Sequence, residues 1–438
     1  MTALAWFALV VFAITIVVVI SNVVDGTVAA LIGVGVMVWF GVMTEVDAFQ
    51  LVDWNVMAIL VSIWIIAGYF GRTGVPSWLS VQALRLSGGR PGLLVVILSV
   101  LAGVISMFVD NVVVILMMAP VALPLARALR LPITPVVLMI GFSANFMGTA
   151  LLLGDLPPQM LHSVSGAEFG DFIWQHGRPS SFPILMVTFA ITLAAMYAYG
   201  FRSRGRHAVD VESLGIETHI PNRLFAGIVV GWFLLTVLGM AFRQVLGVKL
   251  GFIAMTGAVT LVLLLELLGD RVKAPDFEEI LGALDWRAIF FYIALFALVG
   301  GLEKMHLIEA LAHQLKPMFS QSLALGATVM YWVTVPIVGI VEHDAYILTF
   351  LYLIRDLGNE GVATWPLWWM MVWAGTLGSN LTVAGAPALF AALNICEREE
   401  KRKVSLREFL AWSVPFTLVA AGTCYVLGML IWVLPWGR

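Results

Sequence analysis

Two acidic tips, which are short polar segments between long apolar runs, contain the residues that could perform chemistry in a chain with few charges. Asp110 and Asn111 separate the apolar runs GLLVVILSVLAGVISMFV and VVVILMMAPVALPLAR. An ionisable side chain between such runs indicates a functional site, because hydrocarbon does not solvate it. Removal from water favours the protonated form of a carboxyl group, so a proton and a metal cation can compete for it. The alternative is that Asp110 lies in a solvated turn between two membrane-spanning helices.

Three further polar clusters accompany this pair. Glu342, His343 and Asp344 form a second acidic tip, and two apolar segments are interrupted by glycines, hydroxyls and amides. Interrupted helices at membrane depth are where transporters bind substrate and coupling ion. The predicted ion-binding residues are Asp110, Asn111, Ser143, Asn145, Thr149, Asp155, Glu342, His343, Asp344, Ser379, Asn380 and Thr382.

Asp110 and Glu342 are the predicted proton or cation carriers. His343 and Asp344 are interpreted as a proton relay or gate, although a hydrogen-bonded structural role explains His343 equally simply. Asp155 precedes Pro157 and Pro158, so it belongs to the site, or else it caps a half-helix or faces a vestibule.

The composition restricts the class of protein. Of 438 residues, 61% are hydrophobic and 12% charged, against about 25% charged in soluble domains, which predicts a multi-spanning membrane protein. There is no basic patch for nucleic acid, and no lysine follows a glycine as in a phosphate-binding GxxxxGK[ST] loop. Two distant cysteines exclude a zinc cluster or disulfide framework. We expect no enzymatic activity and no cofactor, only a transported ion such as Na⁺ or H⁺.

Apolar segments follow the same order twice along the chain. In the first half we predict spans, an amphipathic piece (74–86), a hairpin (92–127) and a broken span (133–165). The second half repeats the plan with an amphipathic piece (305–316), a hairpin (323–357) and a broken span (365–397). The predicted spans are 3–21, 27–44, 54–71, 183–201, 223–242, 249–267, 287–302 and 409–434.

A constant offset of 232 residues relates the two halves. It places Asp53-Trp54 on Asp285-Trp286, Gly68 on Gly300, and Asp110-Asn111 on Glu342-His343. At an offset of 231, Gly154 matches Gly385. We therefore predict a first repeat (1–201), a cytoplasmic linker (202–222) and a second repeat (223–438).

Five crossings in each half would invert the second half relative to the first. With the linker inside, 17 of the 24 lysines and arginines fall on the cytoplasmic side and 7 outside, in agreement with the positive-inside rule. The sequence thus predicts ten crossings, both termini outside, and a prokaryotic inner membrane. If each hairpin instead crossed the membrane twice, each half would still have an odd number of crossings. The charge count therefore does not decide whether the hairpins are re-entrant.

The chain resembles the ion transporter superfamily, and within it the branch of arsenite permeases, P proteins and NhaD-type sodium/proton antiporters, which shares a citrate-transporter-like domain. The resemblance rests on FVDN, NFMGTALLLGDLPPQ, DWRAIFFYIALFALVGGLEKMHLIEALA, GSNLTVAGAPALFAALN and SLREFLAWSVPF. It implies an all-α polytopic fold of two inverted repeats, each with a re-entrant helical hairpin and an unwound helix meeting near the midplane.

Several positions depart from the family pattern. Met147-Gly148 replaces a paired glycine, Gln159 replaces an asparagine, and the second tip lacks the usual Asp-Asn or Asn-Asn. Neither tip carries the contiguous Ser-Asn-Thr of dicarboxylate carriers, which argues against a succinate or citrate carrier.

We therefore predict a proton-coupled secondary transporter, with Na⁺/H⁺ antiport as its most concrete form. The alternatives are efflux of arsenite, antimonite or another anion, and a scaffold or sensor that does not transport. The expected partners are membrane lipid and a small inorganic ion, with a homodimer also compatible. A separate ATPase subunit is expected only under the arsenite alternative.

Overall fold

The structure, a computed structural model of the chain, describes residues 2–21, 23–202, 220–341 and 343–436. The described part is almost entirely helical. The first half contains α1 (Ala3–Ser21), α2 (Gly26–Trp39), α3 (Glu45–Gln50), α4 (Trp54–Arg72), α5 (Val75–Leu86), α6 (Pro91–Ser106), α7 (Asn111–Ala128), α8 (Ile133–Gly148), α9 (Leu156–Ser165) and α10 (Ser181–Met196), which continues as a π-helical turn, Tyr197–Phe201.

The second half begins at α11 (Arg223–Ala241). It continues with α12 (Arg243–Leu246), α13 (Leu250–Leu268), α14 (Phe277–Gly282), α15 (Trp286–Lys304), α16 (Leu307–Gln321), α17 (Leu323–Val338), α18 (His343–Asn359), α19 (Trp365–Ser379), α20 (Pro387–Glu400), α21 (Leu406–Gly428), a π-helical turn (Met429–Val433) and α22 (Leu434–Trp436). Short 3₁₀ turns occur at Phe169–Phe172 and Gly269–Arg271.

Seven of the described helices, counting the turns that continue them, are long and apolar enough to cross a membrane. Five shorter apolar helices accompany them, including α6, α8 and α17. The predicted all-α polytopic membrane fold is therefore confirmed.

Helix ends follow local chemistry that is visible in the sequence. Asp25, Asp53, Asp110 and Asp285 each accept a backbone N–H bond at a helix start, as aspartate does at N-cap positions. Proline occupies the first turn of α5, α6, α9, α19 and α20, where its missing N–H costs nothing. A polar cap or a proline in the first turn thus marks the start of these helices.

Each predicted hairpin is a pair of helices, α6 with α7 and α17 with α18. Each predicted broken span is a helix, a non-helical stretch and a second helix, with the interruptions at 149–155 and 380–386. Sequence analysis did not predict the short helices α3 and α14. It also missed a two-stranded antiparallel hairpin, β1 (Trp174–Gln175) and β2 (Arg178–Pro179), in which Trp174 pairs with Pro179 and Gln175 with Arg178.

The offset of 232 residues also describes helix boundaries. Helices α3, α4 and α6 begin and end 232 residues before α14, α15 and α17. Their packing partners are exchanged between the halves. Helix α4 of the first half packs on α13 of the second, and α15 of the second half packs on α2 of the first. In the same way, α7 packs on α20 and α18 packs on α9. This exchange is what a two-fold relation produces. The inversion across the membrane and the division at 202–222 stay predictions, and most of the linker, 203–219, lies outside the described residues.

Gly154 and Gly385 end the two interruptions in matching surroundings. A Cβ at Gly154 would overlap the carbonyl oxygens of Ser106 and Gly148, and one at Gly385 would overlap those of Val338 and Ser379. These contacts bring each interruption against the last turn of a hairpin's first helix. Only a residue without a side chain allows the backbones to approach so closely.

Gly154→Ala should therefore destabilise the protein by about 1–3 kcal/mol, the usual cost of overpacking. Rigid carbonyl groups, unlike the end of a flexible side chain, have little freedom to yield. The measurement is the thermal unfolding temperature of the purified protein in detergent. The control is Gly231→Ala in α11, where nothing lies within 4 Å of the added Cβ. Equal unfolding temperatures for the two variants would contradict the close approach.

Candidate functional site

The site begins at the tip of the α6–α7 hairpin. Asp110 is 7% exposed, and its Oδ1 accepts hydrogen bonds from the backbone N–H groups of Val112 at 2.9 Å and Val113 at 3.3 Å. The carboxylate therefore caps α7 while lying inside the protein. The solvated-turn alternative for Asp110 does not describe this position.

Asn111 connects the hairpin tip to the first interruption. Its Nδ2 donates to Asn145 Oδ1 at 3.0 Å and to Asp155 Oδ2 at 2.9 Å. Asp155 Oδ1 accepts the backbone N–H of Leu156 at 2.9 Å and caps α9. Asp155 thus combines the two roles that the sequence left as alternatives, since it caps a half-helix and is also bonded into the polar centre.

Asn145 carries the network into the second half. Its Nδ2 lies within donating distance of Ser379 Oγ at 2.9 Å, Asn380 Oδ1 at 3.2 Å and the Thr376 carbonyl at 3.3 Å. We refer to Asn111, Asn145, Asp155, Ser379 and Asn380 as the polar bridge. All five are buried, so the bridge joins the two halves through bonds that are shielded from water.

Beside the polar bridge, Thr149 Oγ1 and Thr376 Oγ1 lie 2.7 Å apart. Ser181 donates to the Thr149 carbonyl at 2.9 Å, and Trp373 Nε1 donates to Ser181 Oγ at 3.0 Å. These contacts satisfy the first carbonyl of the interruption and fix its position next to α19 and α10.

Asp110 also lines a narrow gap together with Trp64, Asp155 and Gln159, and the gap is too small to admit a water molecule. On its other side, Asp110 lines a cavity of about 530 Å³, which Trp64 also borders. Asp110 therefore stands between an open cavity and the acidic end of the polar bridge. Carboxylate and amide oxygens are ligands that hard cations prefer.

The remaining predicted residues have other surroundings. Ser143 is buried in α8, and its Oγ has no hydrogen-bond partner among the described residues. His343 and Asp344 are buried at the start of α18, with His343 Nε2 3.4 Å from Asp344 Oδ1. Thr382 donates to the Gly339 carbonyl. Glu342 lies outside the described residues, so its role as a proton or cation carrier stays a prediction.

The structure thus brings seven of the twelve predicted residues together: Asp110, Asn111, Asn145, Thr149, Asp155, Ser379 and Asn380. Sequence reasoning missed Trp64, Gln159 and Thr376. Thr376 lies close to the polar run Gly378-Ser379-Asn380, and Gln159 follows paired prolines, so both had a polar signal. Trp64 had none, because it is an apolar residue within an apolar span.

Interrupted helices that bring buried carboxylates and amides together inside a polytopic bundle define a membrane transporter. The chain belongs to the citrate transporter family, whose sequence profile matches residues 16–374. The expected membership of the ion transporter superfamily is thereby confirmed. The family name describes the family and does not identify the substrate of this chain.

Individual relatives agree with this assignment. An uncharacterized transporter of Mycobacterium tuberculosis is 28% identical over 405 residues, covering 89% of this chain and 90% of its own. A 46 kDa membrane protein of Mycobacterium leprae is 26% identical over 440 residues, covering 97% and 98% of the two chains. The human P protein is 25% identical over 456 residues, which cover 86% of this chain and 53% of the P protein.

Asn145→Ala should lower the free energy of unfolding by about 1–3 kcal/mol, because it leaves buried polar groups of both halves without a partner. Thermal unfolding in detergent measures the loss. Asn394→Ala, on the exposed face of α20, provides the matched control and should change little. A wild-type unfolding temperature for Asn145→Ala would show that the polar bridge does not stabilise the contact between halves.

Proposed function

We propose that this transporter exchanges protons for a monovalent cation, Na⁺ being the first candidate. The observation that carries the proposal is that Asp110 and Asp155 line the same narrow gap, which has no lysine or arginine among its described lining residues. Two carboxylates in a low-dielectric interior repel each other unless a proton or a cation lies between them.

The same charges disfavour an organic or inorganic anion. A citrate-like substrate would bring further carboxylates toward Asp110 and Asp155, and the narrow gap between them has no described cationic side chain to balance the added charge. This agrees with the absence of Ser-Asn-Thr tips in the sequence. A proton and a cation, in contrast, both neutralise the pair, and each excludes the other. Competition for one site is the minimal mechanism of antiport.

The hairpins are proposed to be re-entrant. The tip residues Asp110 and Asn111 are buried against the first interruption, which suits a hairpin that ends at depth and returns. We retain the predicted topology, with ten crossings, the 202–222 linker in the cytoplasm and both termini outside. The positive-inside bias is its support.

One observation favours efflux of arsenite or a similar neutral hydroxide as a second candidate. Asn380 Nδ2 is buried without a hydrogen-bond partner among the described residues. Together with Ser379 and Asn145 it offers the donors that a hydroxide would need. Most donors of the polar bridge are already engaged within it, which is why cation exchange is preferred.

Proteoliposomes loaded with a pH-sensitive dye test the first candidate. An imposed Na⁺ or Li⁺ gradient should move protons in the opposite direction. Asp110→Asn and Asp155→Asn should each reduce the initial rate at least about tenfold, because an amide cannot exchange a proton.

Asp25→Asn is the matched control. Asp25 caps α2 through the N–H groups of Thr27 and Val28, and asparagine caps a helix as well as aspartate does. It should transport at the wild-type rate. Arsenite-dependent rescue of a sensitive strain without any cation response would support the second candidate. No response to any ion would support the scaffold or sensor.

Competition also predicts a pH dependence. If protons and cations share one site, lowering the pH should raise the apparent KM for the cation while the maximal rate at saturating cation persists. Once the carboxyl groups are mostly protonated, the KM should rise at most about tenfold per pH unit for each competing proton. Initial rates between pH 6 and about 8.5 measure this trend. A KM independent of pH, with only the maximal rate changing, would exclude direct competition.

A further inference from the structure

The cavity beside Asp110 is larger than an inorganic ion requires. Its volume is about 530 Å³, and it lies between α4, α7 and the α14–α15 segment. Pockets that bind small organic molecules have volumes of about 300–1,000 Å³, with apolar walls and a few polar groups. The walls here have that character, with Leu116, Val121 and Ile280 among the apolar residues.

The polar groups of the cavity are mainly acidic. Asp110 and Asp285 both line it, and Arg72 is the one cationic side chain among its described lining residues. Arg72 NH2 lies 2.6 Å from Glu279 Oε1, so an acidic partner already balances its charge. The rings of Trp64 and Tyr292 also border the cavity, and such rings attract organic cations at their faces.

One wall of the cavity differs from the equivalent region of the other half. Gly68 borders the cavity and packs on Ile280, and its counterpart Gly300 packs on the side chain of Leu51. The counterpart of Leu51 is Ala283, which is smaller and lines the cavity. Ala283 is therefore the position at which a larger side chain should narrow the cavity.

We propose that this cavity binds amphipathic organic cations. The apolar body would lie on the walls formed by α4 and α7, and the cationic centre would lie near Asp110, Asp285 and the two aromatic rings. Charge complementarity and size carry the assignment. It does not depend on which inorganic ion is transported, because binding to the cavity needs no turnover.

Tetraphenylphosphonium and tetraphenylborate provide a direct test, since they are similar in size and shape but opposite in charge. Binding of radiolabelled tetraphenylphosphonium to the purified protein in detergent is measured by scintillation proximity, with excess unlabelled compound defining the non-specific signal. Displaceable binding of the cation is expected, whereas radiolabelled tetraphenylborate, measured in a separate sample because the two ions precipitate together, should show none.

Two variants locate the binding site. Asp285→Asn keeps an N-cap side chain for α15 but removes one charge, and should weaken binding of the cation about tenfold. Ala283→Leu introduces the side chain of its counterpart Leu51 and should reduce binding by occupying the cavity. The matched controls are Asp270→Asn and Ala13→Leu, both at exposed positions away from the cavity lining, and both should bind as the wild type does.

The proposal is overturned if wild-type protein shows no displaceable binding of the cation, if tetraphenylborate alone binds equally well, or if Asp285→Asn and Ala283→Leu bind as their controls do. Because the assay measures equilibrium binding, its result is separate from that of the transport assay. Cation exchange without tetraphenylphosphonium binding would reject this inference alone, and binding without cation exchange would reject the proposed function alone.

Discussion

The two interruptions of the helices impose the constraint on which the rest of the structure depends. Helical hydrogen bonding stops at 149–155 and 380–386, in a bundle whose surroundings cannot solvate a backbone. The chain satisfies these stretches with side chains from both halves. Asn145 does most to join them, because one amide group reaches Ser379, Asn380 and the Thr376 carbonyl. Asn145 thereby fixes the part of the site in the first half against the part in the second.

Much of the fold could be predicted from the sequence because its signals are local. The span predicted at 54–71 is α4, Trp54–Arg72, and the hairpin predicted at 92–127 is α6 and α7. In each case a long apolar run ends at a polar or proline-containing turn, and that boundary needs no tertiary information. The β1–β2 hairpin escaped notice because each strand has two residues, too few for an alternating pattern.

The pairing within the site could not be predicted in the same way. The polar residues of the tip and the interruption were identifiable by type, but the bond between Asn111 and Asp155 joins positions 44 residues apart. Only the packing of α7 on α8 selects that partner over others nearby. Trp64 could not be identified even by residue type, because its place beside Asp110 follows from the position of α4 and not from its own sequence context.

The two halves share backbone features more closely than polar residues. Gly154 and Gly385 occupy matching close approaches, yet at the corresponding offsets Asn111 is matched by His343 and Asp155 by Ala386. The related folding of the halves is thus preserved by small residues and caps, while the acid of the first interruption has no counterpart in the second. The acid of the first interruption is thus specific to the first half, although each hairpin tip carries an acid, Asp110 in one and Glu342 in the other.

That asymmetry bears on how Asp110 can reach water. The polar bridge ties α7, α8 and α9 to α19, so these elements resist separation. The cavity instead follows the boundary between α7 and the elements α4, α14 and α15, where apolar walls dominate. Opening the bridge would leave several buried groups unpaired. A displacement at this boundary would change the exposure of Asp110 while the bridge stays intact, and the aromatic ring of Trp64 lies at the point where the two sides meet.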